Sequence, residues 1–273
     1  MTSQHPSKPS PRERLREAQL REARAAAVRR RVVVGASIVG VLALAGATTL
    51  AISTADNGSG TGSSDSAKTL SVSTALVTPA NTAGQNGTVV VYGKADAPHT
   101  LQVYEDFRCP ICKHFEGSAG PAVQQLADSG TYKIEYHLAA FLDDNLGGQG
   151  SKNALAAVGA ALDEGGVAKF KQLHDVLYAN QPDERVDGFG NVNRILDLAS
   201  QVPGLKTDAF TKAVTEGTYR PWASKVATAF NSSGVTGTPT VKLDGKALEL
   251  FDPKGTPLTG EQFTALVQQT IGG

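Results

Sequence analysis

Residues 100–112, Thr100-Leu101-Gln102-Val103-Tyr104-Glu105-Asp106-Phe107-Arg108-Cys109-Pro110-Ile111-Cys112, contain both cysteines of a 273-residue chain. Thr100–Glu105 reads as a strand, and the cysteines follow it in one short turn. The apolar pair Ile111 and Phe115 then begins a helical stripe, which places Cys109 at a helix N-terminus. Pro110 suits the first helical position, where its missing N–H would have no partner in any case. The free N–H groups and the dipole of that terminus favour negative charge on Cys109, so its thiol pKa is expected to be lowered. Cys112, one turn later, is expected to lie buried beneath an exposed Cys109. A disulfide here closes a ring of four residues, for which chain entropy gives only about 2 kcal/mol. Such a pair is a poor staple and a well-placed reversible two-electron switch.

A Cys-x-x-Cys pair can also be half of a zinc site. Here there is no second cysteine pair, and the five histidines (His5, His99, His114, His137, His174) are scattered. No metal is expected. Covalent haem attachment needs a histidine directly after the second cysteine, and Lys113 stands there instead. His114 and His137 read as surface groups, Lys113 as a source of positive potential, and Asp143-Asp144 as a loop.

Upstream, charge is unevenly spread. Residues 1–31 carry nine Lys/Arg and three Glu, a net of +6, so the remaining 242 residues carry −6 within a chain of zero net charge. A basic head on an acidic body points to a local electrostatic role, with no nucleic-acid partner expected. Val32–Ile52 is 21 residues without a charge. As a helix it would reach roughly 31 Å, enough for a bilayer core. Arg29-Arg30-Arg31 precede it and Asp56 follows it. Positive charge stays inside, so residues 1–31 are expected to be a cytoplasmic tail, 32–52 a transmembrane anchor in contact with membrane lipid, and the rest extracytoplasmic. The alternative is a cleaved signal peptide ending near Ala45-Gly46-Ala47, which exports the same body. Disulfides persist in that compartment. Residues 53–87, rich in Ser, Thr, Gly and Asn, read as a flexible linker spanning on the order of 33 Å.

Downstream, the folded body is expected over 88–273. Thr88–Tyr92 and Tyr132–Leu138 read as strands, the second alternating Tyr132, Ile134, Tyr136, Leu138 with polar residues. A helical block covers about 150–231. Its apolar stripes include Leu155, Val158, Leu162; Phe170, Leu173, His174, Leu177; Val192, Ile195, Leu196, Ala199; and Trp222, Val226, Phe230. These read as core. Pro239–Leu243, the Asp244-Gly245 turn and Ala247–Phe251 form a hairpin, and Thr259-Gly260-Glu261-Gln262 is a capping box opening a last helix.

Gly237-Thr238-Pro239-Thr240, about 130 residues after the cysteines and opening a strand, resembles the thioredoxin superfamily in type and order. The helical block before it narrows this to the DsbA-like branch. So do Glu105–Cys112, Ser151-Lys152-Asn153-Ala154, Phe170–Leu177 and Gly234–Thr240. The resemblance covers about 88–273. It implies an α/β thioredoxin-like fold with a helical domain inserted before a cis-proline strand, preceded here by the transmembrane helix and linker. It also implies a thiol:disulfide oxidoreductase with no cofactor beyond the redox-active Cys109–Cys112 pair. Cys109 would be attacked and Cys112 would resolve, with Thr238 and Pro239 keeping a backbone edge open for substrate.

The partners it implies are cysteine-containing exported proteins and a quinone-linked membrane reoxidase. Relatives carry a buried acid six residues before the first cysteine; Val103 stands there in this chain. Glu105, on the same strand face, and Asp106 are therefore the candidates for proton transfer. Ile111 supplies no charge to the thiolate, which implies a less oxidising site than that of strongly oxidising relatives. The direction of reaction stays open between an oxidase and a reductase or isomerase. A non-catalytic peptide-binding module is a third reading.

Overall fold

The computed structural model describes residues 75–272. Six strands form one sheet: β1 (Thr82–Ala83), β2 (Val89–Tyr92), β3 (His99–Asp106), β4 (Tyr132–Ala139), β5 (Thr240–Leu243) and β6 (Lys246–Ala247). Their order is β1-β2-β4-β3-β5-β6. β3 and β4 run parallel at the centre, with Val103 opposite Tyr136, and the other pairings are antiparallel. A parallel pair needs a long crossover. Here α1 (Pro110–Ser118) and α2 (Gly120–Ser129) supply it.

The alternation read in the sequence sets the faces. Leu101, Val103, Ile134 and Tyr136 are all 0–1% exposed and share one face of the β3–β4 pair. A smaller cluster of Tyr104, Ala139 and Phe230, with Phe141 and Val235 against it, packs separately. Asp244 and Gly245 take positive φ (50° and 84°), the conformation a two-residue hairpin requires, and join β5 to β6. The last helix, α8 (Gly260–Gly272), opens on the expected capping box. Thr259 N–H donates to Gln262 Oε1 at 2.9 Å, and Gln262 N–H donates to Thr259 Oγ1 at 3.3 Å.

Between β4 and β5 lie α3 (Phe141–Leu146), α4 (Gly150–Ala179), α5 (Val192–Ala199), α6 (Asp208–Glu216) and α7 (Arg220–Asn231). The inserted helices thus begin at Phe141, earlier than the expected 150. Asp143 and Asp144, expected in a loop, sit in α3. Asp143 is buried because its carboxylate accepts from Ser151 N–H (3.0 Å) and Lys152 N–H (2.9 Å) at the start of α4. α4 is broken at Gly165-Gly166, where Gly166 adopts φ 70°, ψ −166°, open to glycine and strained for other residues. The predicted stripes on α4, α5 and α7 are buried except for Val192, which is half-buried at the start of α5.

The sheet also begins earlier than expected. Residues 82–87, read as linker, contribute β1, and Gly87 O accepts from the Trp222 indole N–H at 2.7 Å. The hydrogen bonds that hold them come from β2 and α7, which a composition rich in Thr, Asn and Gly does not disclose. The basic tail 1–31, the anchor 32–52 and linker residues 53–74 lie outside the described residues. Among the described residues no helix is long and apolar enough to cross a membrane.

Gly159 sits mid-helix in α4, where alanine would ordinarily be favoured by about 1 kcal/mol. A Cβ there would lie 2.7 Å from Cζ3 of the fully buried Trp222 ring. Overpacking against a rigid ring costs about 1–3 kcal/mol, so the clash decides the sign. Gly159→Ala is expected to lower the denaturant midpoint, read from the fluorescence of Trp222, the single tryptophan of the chain. A raised midpoint would refute this packing.

Candidate active site

The turn after β3 is built by Asp106. Cys109 N–H donates to the Asp106 carbonyl at 2.9 Å, and Arg108 N–H donates to Asp106 Oδ1 at 2.9 Å. The same carboxylate accepts from Ser151 Oγ (2.6 Å) and from Leu142 N–H (3.1 Å). It therefore ties the cysteine turn to the starts of α3 and α4. Burial pushes Asp106 up to about 6, against these three donors, which pull it down.

Cys109 is the N-cap of α1, with Pro110 in the first turn, as the sequence predicts. The Cys112 N–H donates to Cys109 Sγ at 3.4 Å. The peptide bond Thr238-Pro239 is cis, and the Cys109 thiol donates to Thr238 O at 3.3 Å. Two segments about 130 residues apart thus meet at one sulfur. Both cysteines are free thiols.

The expected exposure of Cys109 needs correction. It is 5% exposed against 0% for Cys112, while Ile111 between them is 44% exposed. The Thr238-Pro239 turn on one side and Gln181 on the other close around it. Gln181 Nε2 donates to Phe107 O and Cys109 O, both at 2.9 Å. What separates the two thiols is hydrogen bonding. Cys109 is lowered to about 7, chiefly by the hydrogen bond from the Cys112 thiol and further by the Thr238 side chain and the backbone N–H groups of Cys112 and Ile111, against the effect of burial. Cys112 is pushed well above the ordinary range by burial first, then by its bond to Cys109 and by the charge of Glu105.

Of the two acids expected near the thiols, Glu105 follows Leu101 and Val103 along the buried face of β3 and is 0% exposed. Its Oε2 lies 3.0 Å from His174 Nε2, and its Oε1 is buried with no hydrogen-bond partner among the described residues. His174 Nδ1 lies 3.0 Å from Asp175 Oδ1. Burial alone would lower His174, but Asp175, Glu105 and Glu116 outweigh it and hold the imidazole up at about 9. Glu105, Glu116 and His174 bring one donor atom each within 4.8 Å of one another. His174 Nε2 is already spent on Glu105, and the set is an ion-pair cluster. Glu116 is pushed well above the carboxylate range by burial and by Glu105. The cluster opens on a cleft of ~440 Å³ whose lining includes Lys113, Glu116, Lys171, Asp175 and Tyr178.

Sequence reasoning missed Glu116, Arg108, Gln181 and the polar use of His174. Glu116 had a signal: it lies four residues after Cys112, on the helix face that a buried Cys112 defines. His174 was hidden inside an apolar stripe. Arg108 is 4% exposed and donates to Asp143 Oδ1 (2.8 Å), Gly147 O (2.7 Å) and Glu184 O (2.7 Å). It thereby ties the segments carrying exposed Leu146 and Val186 to the residue before Cys109. His114 is exposed. His137 stacks on Tyr104 at 4.5 Å between ring centroids. Lys113 Nζ donates to Gln181 O at 3.2 Å.

A family model described as thioredoxin matches residues 85–269. The chain is 26% identical over 162 residues to disulfide bond formation protein D of Bacillus subtilis, covering 59% of this chain and 70% of that protein. Among solved structures it resembles the reduced disulfide bond oxidoreductase DsbG of Mycobacterium tuberculosis, with 27% identity and a TM-score of 0.54 over 72% of this chain and 86% of that one. It also resembles reduced DsbA of the same organism, with 27% identity and a TM-score of 0.53 over 72% of this chain and 91% of that one.

Iodoacetamide should alkylate Cys109 with a half-maximal rate near pH 7, falling about tenfold per unit below it as the thiolate protonates. Cys112 should resist labelling in the folded protein. The lowered pKa also contributes stability to the reduced fold at pH above about 9. That contribution fades as pH falls and is lost through about 7. A Cys109 midpoint at the free-cysteine value of about 8.5 would contradict the helix-terminus geometry.

Proposed function

Because this chain belongs to the thioredoxin family and is a thiol-disulfide oxidoreductase of the DsbA-like group, we propose that it introduces disulfides into exported, cysteine-containing proteins. In this reading the Cys109–Cys112 pair is the only redox group. A substrate thiolate attacks Cys109 Sγ, the Cys109–Cys112 bond breaks, and Cys112 leaves and takes up a proton. The substrate's second thiolate then displaces Cys109 and closes the new disulfide, and the two electrons stay on the cysteine pair. A quinone-linked membrane partner removes them. Val32–Ile52 anchors the body outside the cytoplasm, where product disulfides survive.

The observation that carries this reading is the thiol asymmetry at the start of α1 beside the cis Thr238-Pro239 bond. A stabilised thiolate at Cys109 makes that sulfur the better leaving group. The backbone at Gly237-Thr238 offers an edge for an extended peptide. Exposed Ile111, Leu146 and Val186 add apolar contact suited to an unfolded chain. Glu105, through its unpartnered Oε1, is the acid that exchanges a proton with Cys112. Asp106 is committed to the turn and serves it structurally. One observation favours the second reading, a reductase or isomerase: a Cys109 pKa near 7 is close to that of reducing members of the superfamily and far above strongly oxidising ones.

The test uses Cys112→Ser, which cannot resolve a mixed disulfide. Expected is capture, through Cys109, of exported proteins that enter the reaction with reduced cysteines, together with oxidative refolding of a reduced substrate by the unaltered protein. Capture of proteins already disulfide-bonded, with a reduction potential near −270 mV, the thioredoxin value, would overturn the oxidase reading in favour of the second.

A further inference from the structure

The inserted helix α4 lays one ionisable ring into the otherwise apolar space under the cysteines. His174 is 0% exposed, and the rings of Phe107, Tyr136, Phe170 and Tyr178 surround it at centroid distances of 4.9–5.9 Å. An imidazole needing only to fill this space would leave both nitrogens without partners, at substantial cost. Here both are used. Nε2 faces Glu105 Oε2 at 3.0 Å, and Nδ1 faces Asp175 Oδ1 at 3.0 Å. Asp175 also pairs with Lys171, and its side chain is 43% exposed in the cleft. A fully buried carboxylate on β3 is thus linked to solvent-facing charge by one histidine.

We infer that His174 is the positioning residue that holds the Glu105 carboxyl through Oε2 and leaves Oε1 to take the proton of Cys112 when Cys112 closes the disulfide. This deepens the reading above and rests on its assignment of Glu105. A buried carboxyl with no opposite charge nearby favours its neutral form, and an opposite charge within about 4–6 Å restores the charged one. The groups facing His174 are Glu105 from β3, Glu116 from α1, Tyr136 from β4, and Lys171, Asp175 and Tyr178 from α4. Burial pushes the Cys112 thiol and the two tyrosine hydroxyls up, and burial together with Glu105 pushes the Glu116 carboxyl up. Lys171 is spent on Asp175. His174 is therefore the cation in contact with Glu105, and Asp175 orients the ring so that Nε2 meets it.

The step balances within the chain and a simple oxidant. With Cys109 joined to glutathione, the Cys112 thiol passes its proton to Glu105 Oε1. The sulfur's electron pair forms the bond to Cys109 Sγ, the Cys109–glutathione bond breaks, and glutathione leaves as thiolate to be protonated by water. Glu105 then returns the proton to solvent.

The experiment mixes the reduced full chain with oxidised glutathione, quenches in acid at intervals, and follows the mixed disulfide and its closure by mass spectrometry across pH 5–9. His174→Gln keeps a neutral hydrogen-bond donor and removes the charge. Expected is a closure profile moved at least one pH unit upward, hence about tenfold slower closure at a pH on its rising limb. The Cys109 alkylation profile and the formation rate of the mixed disulfide should stay in place. An unmoved closure profile in a folded His174→Gln protein overturns the inference. So does a profile moved by Glu116→Gln and not by His174→Gln. If His174→Gln does not fold, Asp175→Asn, which keeps an acceptor for Nδ1–H, should shift the profile in the same direction by a smaller amount, and no shift overturns the inference. Glutathione closure is independent of the protein substrate. Failure of the oxidase reading appears separately, as an unaltered protein that closes on glutathione and refolds no reduced substrate.

Discussion

A fully buried carboxylate at the end of an apolar strand face is the constraint around which this fold is arranged. Leu101, Val103 and Glu105 occupy successive inward positions of β3, all at 0% exposure. The first two ask for an apolar cover, and the third asks for a cation. The sheet and the crossover helices supply the cover. The cation comes from α4, as His174 at 3.0 Å. Breaking such a buried pair by removing one partner costs about 3–5 kcal/mol, so the pair fixes the register in which α4 lies across the sheet. Tyr136 and Phe170 pack around the same ring, and Asp175 fastens its far side. The inserted helices are thus joined to the redox site by a charge, beyond being a lid over the core.

A second set of bonds works from the same side. Asp106, next to Glu105, points the other way and collects donors from Arg108, Leu142 and Ser151. Asp143 and Gln181 then bring α3 and the end of α4 against Arg108 and Cys109. Adjacent acids on one strand therefore serve different ends because strand alternation sends them to opposite sides. Glu105 turns inward to the apolar face and meets His174, and Asp106 holds the turn that places both thiols.

Much of this architecture is written locally. Strand alternation, proline at the first helical position, the Asp244-Gly245 turn and the Thr259–Gln262 capping box are short-range patterns, and each appears where the sequence places it. The Gly237–Thr240 turn gains its meaning from a distant partner, and the order of elements was enough to pair it with the cysteines. What could not be read depends on tertiary contact. Residues 82–87 have linker composition and are ordered by β2 and Trp222. Asp143 looks like a loop acid until Arg108 and the start of α4 surround it. His174 shares its spacing with Phe170, Leu173 and Leu177, so its polar role is invisible in a periodic pattern. Cys109 was expected to be open because helix N-termini usually are. The Thr238-Pro239 turn and Gln181, both remote in sequence, cover it.

The same remote bonds explain why the thiolate is tuned only moderately. The nearest cation in sequence is Arg108, yet its guanidinium is spent on Asp143, Gly147 and Glu184. Pro110 and Ile111 carry no charge, and Lys113 turns to Gln181 O. Stabilisation of Cys109 is left to the neighbouring Cys112 thiol, the Thr238 side chain and two backbone N–H groups, working against near-complete burial, and the result is a pKa of about 7. A positively charged residue between the cysteines would add a Coulombic term to these bonds. Its absence means that the poise of the pair is set by backbone geometry at the start of α1. That geometry is in turn held by Asp106 from the strand and by Gln181 from beyond α4. In this chain, redox tuning and the docking of the inserted helices are consequences of one bonded framework, so a change that loosens the helices should reach the thiols before it reaches the sheet.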